Sequence, residues 1–315
     1  MYEIMPLRGE HIAGALRLWH EAFLRNLVGV FPDFFPGGAS AAESMLRAFV
    51  AAGRALAAVE NGELAGYMGW TYFDFHGEPS AFCPTVAHAA RAGDTAAVYR
   101  ALYTSAARAW VADGKRNHLW MMLYGDDTLK NELYELGFAA HVVNACARAE
   151  RAEAGRACPC RISQAGEGDA RALLSLADEA QAYFLGAPLF LRRQAFNLER
   201  IHKILKEDRV LMAWDGERPV GALNFTVAPG IDCEQLTGEL SACVTGVGAY
   251  VASGYRGAGI GGALVERMLE LCLECGRPWV HVCYESANPF ASAFWPRRFT
   301  PAICSVRRTV NKDMP

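Results

Sequence analysis

Two stretches of the chain repeat one arrangement of apolar and polar positions. Residues 54–70 are apolar on both sides of a polar Asn61-Gly62, and residues 209–225 are apolar on both sides of Asp215-Gly216. Such a pair between two apolar runs predicts a tight β-hairpin of type I′, whose two central residues need positive φ. Elsewhere the period changes to that of a helix. Ala172, Leu173, Leu176 and Ala180 share one face of a helix expected over 168–183 with Asp169 as its cap, and a second helix is expected over 192–207. Leu264, Met268, Leu271 and Cys272 mark a further helix that begins at Gly259 or Ile260 and packs on a sheet. In both halves a helix is followed by a glycine, Gly114 or Gly276, and then by an apolar strand over 118–124 or 279–284. Short first strands fall at 2–6 and 160–164.

Gly62 and Gly216 lie 154 residues apart, and Gly114 and Gly276 lie 162 apart, so similar elements return at similar spacing. The pattern predicts an α/β protein of two tandem domains, each a mixed, mostly antiparallel sheet flanked by helices. A polar stretch over 148–168 separates them. The expected division is a first domain over 1–150, a linker over 151–160 and a second domain over 161–315.

Composition narrows the partners. The 315 residues are 52% hydrophobic and 21% charged, with a net charge of -3 and no long Lys/Arg run, so duplex nucleic acid has no electrostatic footprint to bind. Charged residues break every apolar stretch before the ~20 residues that span a bilayer, and the N-terminus lacks a signal-peptide pattern, so a cytoplasmic protein without a membrane partner is expected. Ten scattered cysteines read as reduced core thiols. Cys158-Pro159-Cys160 and Cys272-x-x-Cys275 are pairs, but a zinc site needs two such pairs to converge. They are read as linker and helix packing, and no metal is expected. Tandem copies can satisfy each other within one chain, which favours a monomer.

The strongest local feature is the run Gly246 to Leu269, a strand that passes through glycines into an amphipathic helix. Glycines at a helix entrance let a ligand approach the backbone, the first-turn N–H groups and the helix dipole favour an anion, and Arg256 adds a fixed positive charge. This combination suits a pyrophosphate. Gly257-x-Gly259-x-x-Gly262 also matches the dinucleotide fingerprint, with Glu285 at the end of the next strand, the place of a ribose-binding acid in that fingerprint. In a Rossmann unit, however, the first glycine follows the strand directly, whereas here Ala252 to Arg256 intervene.

The segment Arg256-Gly257-Ala258-Gly259-Ile260-Gly261, entered from Ala249-Tyr250-Val251, together with Asn288-Pro289-Phe290 and the later Phe294-Trp295 and Phe299, resembles the GNAT superfamily of N-acetyltransferases. The resemblance implies a splayed parallel strand pair in the C-terminal copy. Between its strands would lie the pantetheine arm of acetyl-CoA, bonded to the main chain at Tyr250 and Val251. Backbone N–H groups from Gly257 through Ala258, Gly259 and Ile260 to Gly261 would hold the pyrophosphate, and Asn288 and Phe294 would flank the pantetheine. It further implies acetyl transfer from acetyl-CoA to a primary amine of a small molecule or peptide, by direct attack in a ternary complex.

Acyl transfer to an amine requires a base for the amine proton and a donor for the oxyanion. Glu239, which precedes the strand leading into the glycine turn, is the candidate base, with Asp232, Glu234 and Glu285 as competitors. By the resemblance, the Val251 amide is the candidate oxyanion donor. Where many family members place an acidic Tyr this chain has Trp295, whose indole cannot protonate a thiolate, so Tyr284 or a water takes that role, or none is needed. The usual Gly before Phe299 is replaced by Arg298. In the first half, Pro84 to Ala96 keeps Arg91 and Gly93 but adds Asp94, a good cap and a poor neighbour for phosphate. The expectation is a degenerate GNAT-like N-terminal copy that lends structure and part of the acceptor cleft. A non-catalytic acyl-CoA-binding sensor is the alternative, and a nucleotide-dependent oxidoreductase a distant third. His88, His118, His141, His202 and His281 show no metal-ligand spacing and read as strand or surface histidines, and the aromatic run Trp70 to His76 reads as strand core.

Overall fold

A computed structural model describes residues 2–27, 38–151, 158–228 and 241–311. Contacts divide the chain into two units, the first running to Asn144 and rejoined from Thr300, the second beginning at Ala145 and ending at Phe299. The order of elements in the first unit is β1 (Glu3–Pro6), α1 (Ile12–Asn26), α2 (Gly38–Ala51), β2 (Ala55–Glu60), β3 (Glu63–Gly69), β4 (Thr71–Phe75), β5 (Glu78–Cys83), β6 (His88–Ala90), α3 (Thr95–Ala112), β7 (Asn117–Leu123), α4 (Asp127–Glu135) and β8 (Ala139–Arg148), whose last residues belong to the second unit. The second unit continues with β9 (Arg161–Gln164), α5 (Ala170–Leu185), α6 (Leu198–Glu207), β10 (Arg209–Asp215), β11 (Arg218–Thr226), β12 (Ser241–Val251), α7 (Ile260–Glu274), β13 (Trp279–Glu285) and α8 (Pro289–Phe294). The last strand, β14 (Thr300–Thr309), returns to the first unit and pairs antiparallel with β7 from Thr309↔Asn117 to Ile303↔Leu123. The expected division at 151–160 therefore differs from the contacts at the C-terminal end, where a strand assigned to the second domain completes the first.

The second unit carries strands in the order β9-β10-β11-β12-β13, all antiparallel neighbours except β12 and β13, which run parallel. Apolar side chains dictate this layering. Leu173 and Leu176 of α5 and Ile201 and Ile204 of α6 bury against Val210, Met212 and Ala222 on one face of the sheet, each large side chain worth about 1.5–3 kcal/mol in burial. On the opposite face Gly221 lets Ile260 and Leu264 of α7 lie close to β11, for a Cβ there would stand only 3.4 Å from each.

In the first unit, β1-β2-β3-β6 form one sheet, while β4-β5-β7-β14 run side by side with β5 parallel to β7. A strand, two helices, a hairpin, and later a helix, a strand paired in parallel and a short helix thus occur in both units in the same order. The first unit inserts the hairpin β4–β5, turned at His76-Gly77 with φ of 54° and 83°. The aromatic run Trp70 to His76 enters this added hairpin.

Several local expectations are refined. Asn61 and Gly62 have φ of 52° and 82°, as a type I′ turn requires. The second hairpin pairs Asp215 with Arg218, so its turn is Gly216-Glu217 with positive φ at Gly216 alone, the pattern of type II′. The helix expected from 192 starts at Leu198, because the Asn197 side chain accepts the N–H of Arg200 and caps it there. Asp169 makes no side-chain cap bond to α5; its carboxylate accepts the Gly166 N–H instead. Asp94 likewise caps nothing with its side chain.

Candidate active site

Strand β12 is the axis of the site. It pairs with β13 only at Ser241↔Trp279, Ala242↔Val280 and Cys243↔His281, and beyond that point no further residues of the two strands are in register. On its other side it stays with β11 to Gly221↔Val251. Ala252 N–H bonds the Val220 carbonyl, so by the alternation of an antiparallel ladder the N–H and C=O groups of Val251 and Ala249 turn away from β11, toward the side where β13 has parted. Main-chain polar groups inside a protein are normally paired. An edge left open in the middle of a sheet is a place for a ligand's amides.

The same strand carries a large bulge. Between Leu223↔Ala249 and Phe225↔Val244, the single residue Asn224 faces four residues of β12, Thr245 to Gly248. Gly246 and Gly248 have φ of 57° and 72° and make this detour possible. Fully buried Asn224 fills the loop: its Oδ1 accepts the Val247 N–H at 3.2 Å, and its amide nitrogen donates to Asp208 and to the Arg209 carbonyl, each at 3.3 Å.

Past Val251 the chain makes a single 3-10 turn over Ser253–Tyr255 and enters α7 through Gly257 and Gly259, both left-handed with φ of 83° and 85°. The first intrahelical N–H bond is Ala263 to Gly259, so the N–H groups of Ile260, Gly261 and Gly262 have no partner inside the helix. Gly261 has a second reason to lack a side chain. A Cβ there would come within 3.2 Å of the Phe294 ring, which rests on this first turn.

Arg256 lies along the open edge. Its Nε donates to the Val251 carbonyl at 3.1 Å, and its guanidinium carbon stands 4.4, 5.0 and 5.6 Å from the ring centres of Phe290, Tyr183 and Tyr250. No carboxylate pairs with Arg256 among the described residues. Stacking on three rings holds the cation in place without neutralising it. Burial raises the pKa of Tyr183 and Tyr250. Asn288 caps α8, its Oδ1 accepting from the N–H groups of Phe290 and Ala291 and from the Tyr183 hydroxyl, which leaves its amide nitrogen as the group available to a ligand.

Of the predicted catalytic residues, Glu239 lies outside the described residues, as do Asp232 and Glu234. Tyr284 is buried on the face of β13 that carries Val280 and Val282. Glu285 lies on the other face, 3.7 Å from Arg193. Trp295 is buried between Phe294 and Phe299, at 5.0 and 5.2 Å between ring centres, and Arg298 is tied to Glu266 of α7 at 2.6 Å. Both departures from the family pattern thus have packing roles. The ring cluster around Arg256 and the Asn224 bulge carry no local signature in the sequence beyond the closely spaced Gly246 and Gly248.

The first unit has the corresponding break in its strand and fills it. β5 pairs with β7 up to Cys83↔Trp120, a turn over Thr85–Ala87 intervenes, and β6 then pairs with β3. Across the gap so formed, buried His88 bonds the Met121 carbonyl of β7 and the Tyr99 hydroxyl, each at 2.8 Å. Burial lowers the pKa of His88 to about 4 and keeps the imidazole neutral. Arg91, in the position matching Arg256, is paired with Glu60 at 2.7 Å and Asp94 at 2.5 Å.

Comparison with solved structures places this architecture among GNAT-like α/β folds. The chain is similar to a GCN5-related N-acetyltransferase from Sphaerobacter thermophilus at 13% identity and TM-score 0.60, over 99% of this chain and 97% of that one. It is also similar to a fungal multi-domain GH3 β-N-acetylglucosaminidase bearing a GCN5-related glucosamine N-acetyltransferase region, at 12% identity and TM-score 0.53, over 98% of this chain and 38% of that one. At the level of sequence, residues 173–299 match the Acetyltransferase (GNAT) family model, so that this stretch of the second unit carries a GNAT acetyltransferase domain. No curated protein matches the sequence. Among the described residues no helix is long and apolar enough to cross a membrane, and no cluster of three or more metal-ligating side chains occurs.

Proposed function

We propose that the second unit transfers the acetyl group of acetyl-CoA to a primary amine of a small molecule or peptide, in a ternary complex and without a metal. The observation that carries this reading is the parting of β12 from β13 after Cys243↔His281, with the open edge leading directly to the unpaired first turn of α7. In this reading the amides of Ala249 and Val251 hold the pantetheine and the thioester carbonyl, whereas the main chain at Tyr250, expected to share that role, faces β11 opposite Ala222 and is taken up by the ladder. The pyrophosphate lies on the N–H groups from Gly257 through Ala258, Gly259 and Ile260 to Gly261, and Arg256 swings from its rings to meet it. Asn288 donates its amide and Phe294 forms a wall. Bound acetyl-CoA supplies an activated acyl carbon. The Val251 N–H, fixed by the β11–β12 ladder, stabilises the oxyanion. Glu239 is a candidate for the amine proton, and Tyr284 or water for the thiolate.

The first unit, in the same reading, is a degenerate copy that binds no acyl-CoA. Its Arg91 already has two carboxylate partners, and His88 spans its strand gap. A cytoplasmic monomer acting on a soluble amine is consistent with the composition and charge of the chain.

Isothermal titration with acetyl-CoA tests the proposal, with the Arg256→Glu, Gly259→Asp double variant and NADH as controls. Binding is expected for the wild type alone and with acetyl-CoA alone. Folded wild-type protein that failed to bind acetyl-CoA would overturn the reading, and NADH binding would restore the nucleotide-dependent one.

A further inference from the structure

The three rings that carry Arg256 form a cage for a cation. Phe290 belongs to α8, Tyr183 to α5 and Tyr250 to β12, so the fold brings them together. All three ring centres lie between 4.4 and 5.6 Å from the guanidinium carbon, inside the range at which a ring face attracts a positive charge. Tyr183 and Phe290 also meet each other, at 5.8 Å between ring centres, and Asn288 fixes the Tyr183 hydroxyl at 2.9 Å. At the rim the Tyr250 hydroxyl donates to the exposed Glu179 at 3.4 Å, which sets a carboxylate beside the cage. Phe290 is 53% exposed, so the cage opens to solvent. In the free protein Arg256 fills it. Two demands draw Arg256 away when acetyl-CoA binds. Its Nε occupies the Val251 carbonyl on the edge that the pantetheine amides need, and the pyrophosphate on the first turn of α7 offers the anion that the rings do not.

Resting on the transferase reading, we propose that the cage of Tyr183, Tyr250 and Phe290 is the acceptor's cation site and that the acceptor is a short aliphatic diamine. One nitrogen, as an ammonium, takes the place that Arg256 vacates. The other, neutral, attacks the thioester carbon held at Val251. The spacing calls for a short acceptor: Arg256 Nε is one hydrogen bond of 3.1 Å from the Val251 carbonyl, and the guanidinium carbon among the rings is one covalent bond further. The cage therefore adjoins the residue whose N–H meets the oxyanion. Glu179 and the ring faces favour a positive end on the acceptor, and a monoamine has nothing to place there. Because Arg256 blocks the cage until the pyrophosphate draws it out, acetyl-CoA binds first and the diamine second.

The test titrates tetramethylammonium, a cation with no N–H to acetylate, into wild type, Arg256→Ala, and Arg256→Ala combined with Phe290→Leu or Phe290→Tyr, each with and without saturating CoA. Wild type is expected to bind the cation about tenfold or more tightly with CoA than without it, and Arg256→Ala, whose cage is empty from the start, to bind it without CoA. Adding Phe290→Leu should weaken that binding by about tenfold, and Phe290→Tyr should keep it. Thiol release from acetyl-CoA supplies the second readout. Wild type is expected to prefer diaminopropane to propylamine by roughly tenfold or more in kcat/KM, mainly through KM, and Phe290→Leu to lose most of that preference while Phe290→Tyr retains it. Arg256→Ala that binds no tetramethylammonium, wild type whose cation binding CoA leaves unchanged or weakens, or equal use of the two amines would overturn the assignment. Wild type that fails to bind acetyl-CoA would instead remove the transferase reading, and the titration of Arg256→Ala without CoA would still decide the cage.

Discussion

Gly246 has no room for a methyl group. A Cβ there would sit 1.8 Å from Asn224 Oδ1, and its φ of 57° is itself strained for any L side chain. Gly246→Ala should therefore destabilise the second unit by about 2 kcal/mol or more. Asn224→Ala, by emptying the bulge, should absorb part of that cost, so that the double variant loses less than the two single ones together. Urea midpoints of the four proteins measure the coupling, and strict additivity would mean that the bulge does not rest on this pair. At this scale the sequence shows a glycine-rich run without its purpose. Gly257 and Gly259 are legible because left-handed turns before a helix have a local signature. Gly246 and Gly248 owe their positions to Asn224, more than twenty residues away, and no local pattern encodes that partnership.

Helix α8 has six residues and cannot stand by itself. Its entrance is held by Asn288, which caps two N–H groups and accepts the Tyr183 hydroxyl of α5 at 2.9 Å. Loss of the cap in Asn288→Ala should cost about 1 kcal/mol and weaken acetyl-CoA binding. Tyr183→Phe removes only the link to α5 and should spare the cap, leaving the melting temperature closer to wild type. Calorimetric melting with parallel titrations separates the two, and equal losses in both variants would show that the α5 link, not the cap, fixes the helix. The Asn288-Pro289 cap and the hairpins were legible from adjacent residues. The start of α6 shifted from 192 to Leu198 because Asn197 supplied a stronger local stop than the apolar spacing suggested. The division of domains was legible only in part, since the polar junction after Arg148 gives no sign that the last strand pairs with β7.

Across the whole molecule, three buried imidazoles set the response to acid. His88, His118 and His281 each have a pKa lowered to about 4 by burial, while an unfolded chain protonates near 6.5. The unfolded state therefore binds more protons between these values. The stability they protect is fully present above pH 6.5 and is lost as pH falls toward 4, by about 3 kcal/mol for each site. Against a total of about 5–15 kcal/mol, this is enough to unfold the protein. Urea midpoints should fall steeply between pH 7 and pH 5. A flat profile over that interval would show that these imidazoles take up protons in the folded protein as readily as in the unfolded chain.

The return of β14 to the first unit also sets an order of events during synthesis. Ribosomes add about 5–20 residues each second, and the 155 residues between Asn144 and Thr300 then correspond to a wait of roughly 10–30 s. Throughout that interval the nascent N-terminal unit offers the edge of β7 to whatever strand arrives first. The first unit is thus translated unfinished, and the emergence of β14 is the moment at which that edge can be closed from within.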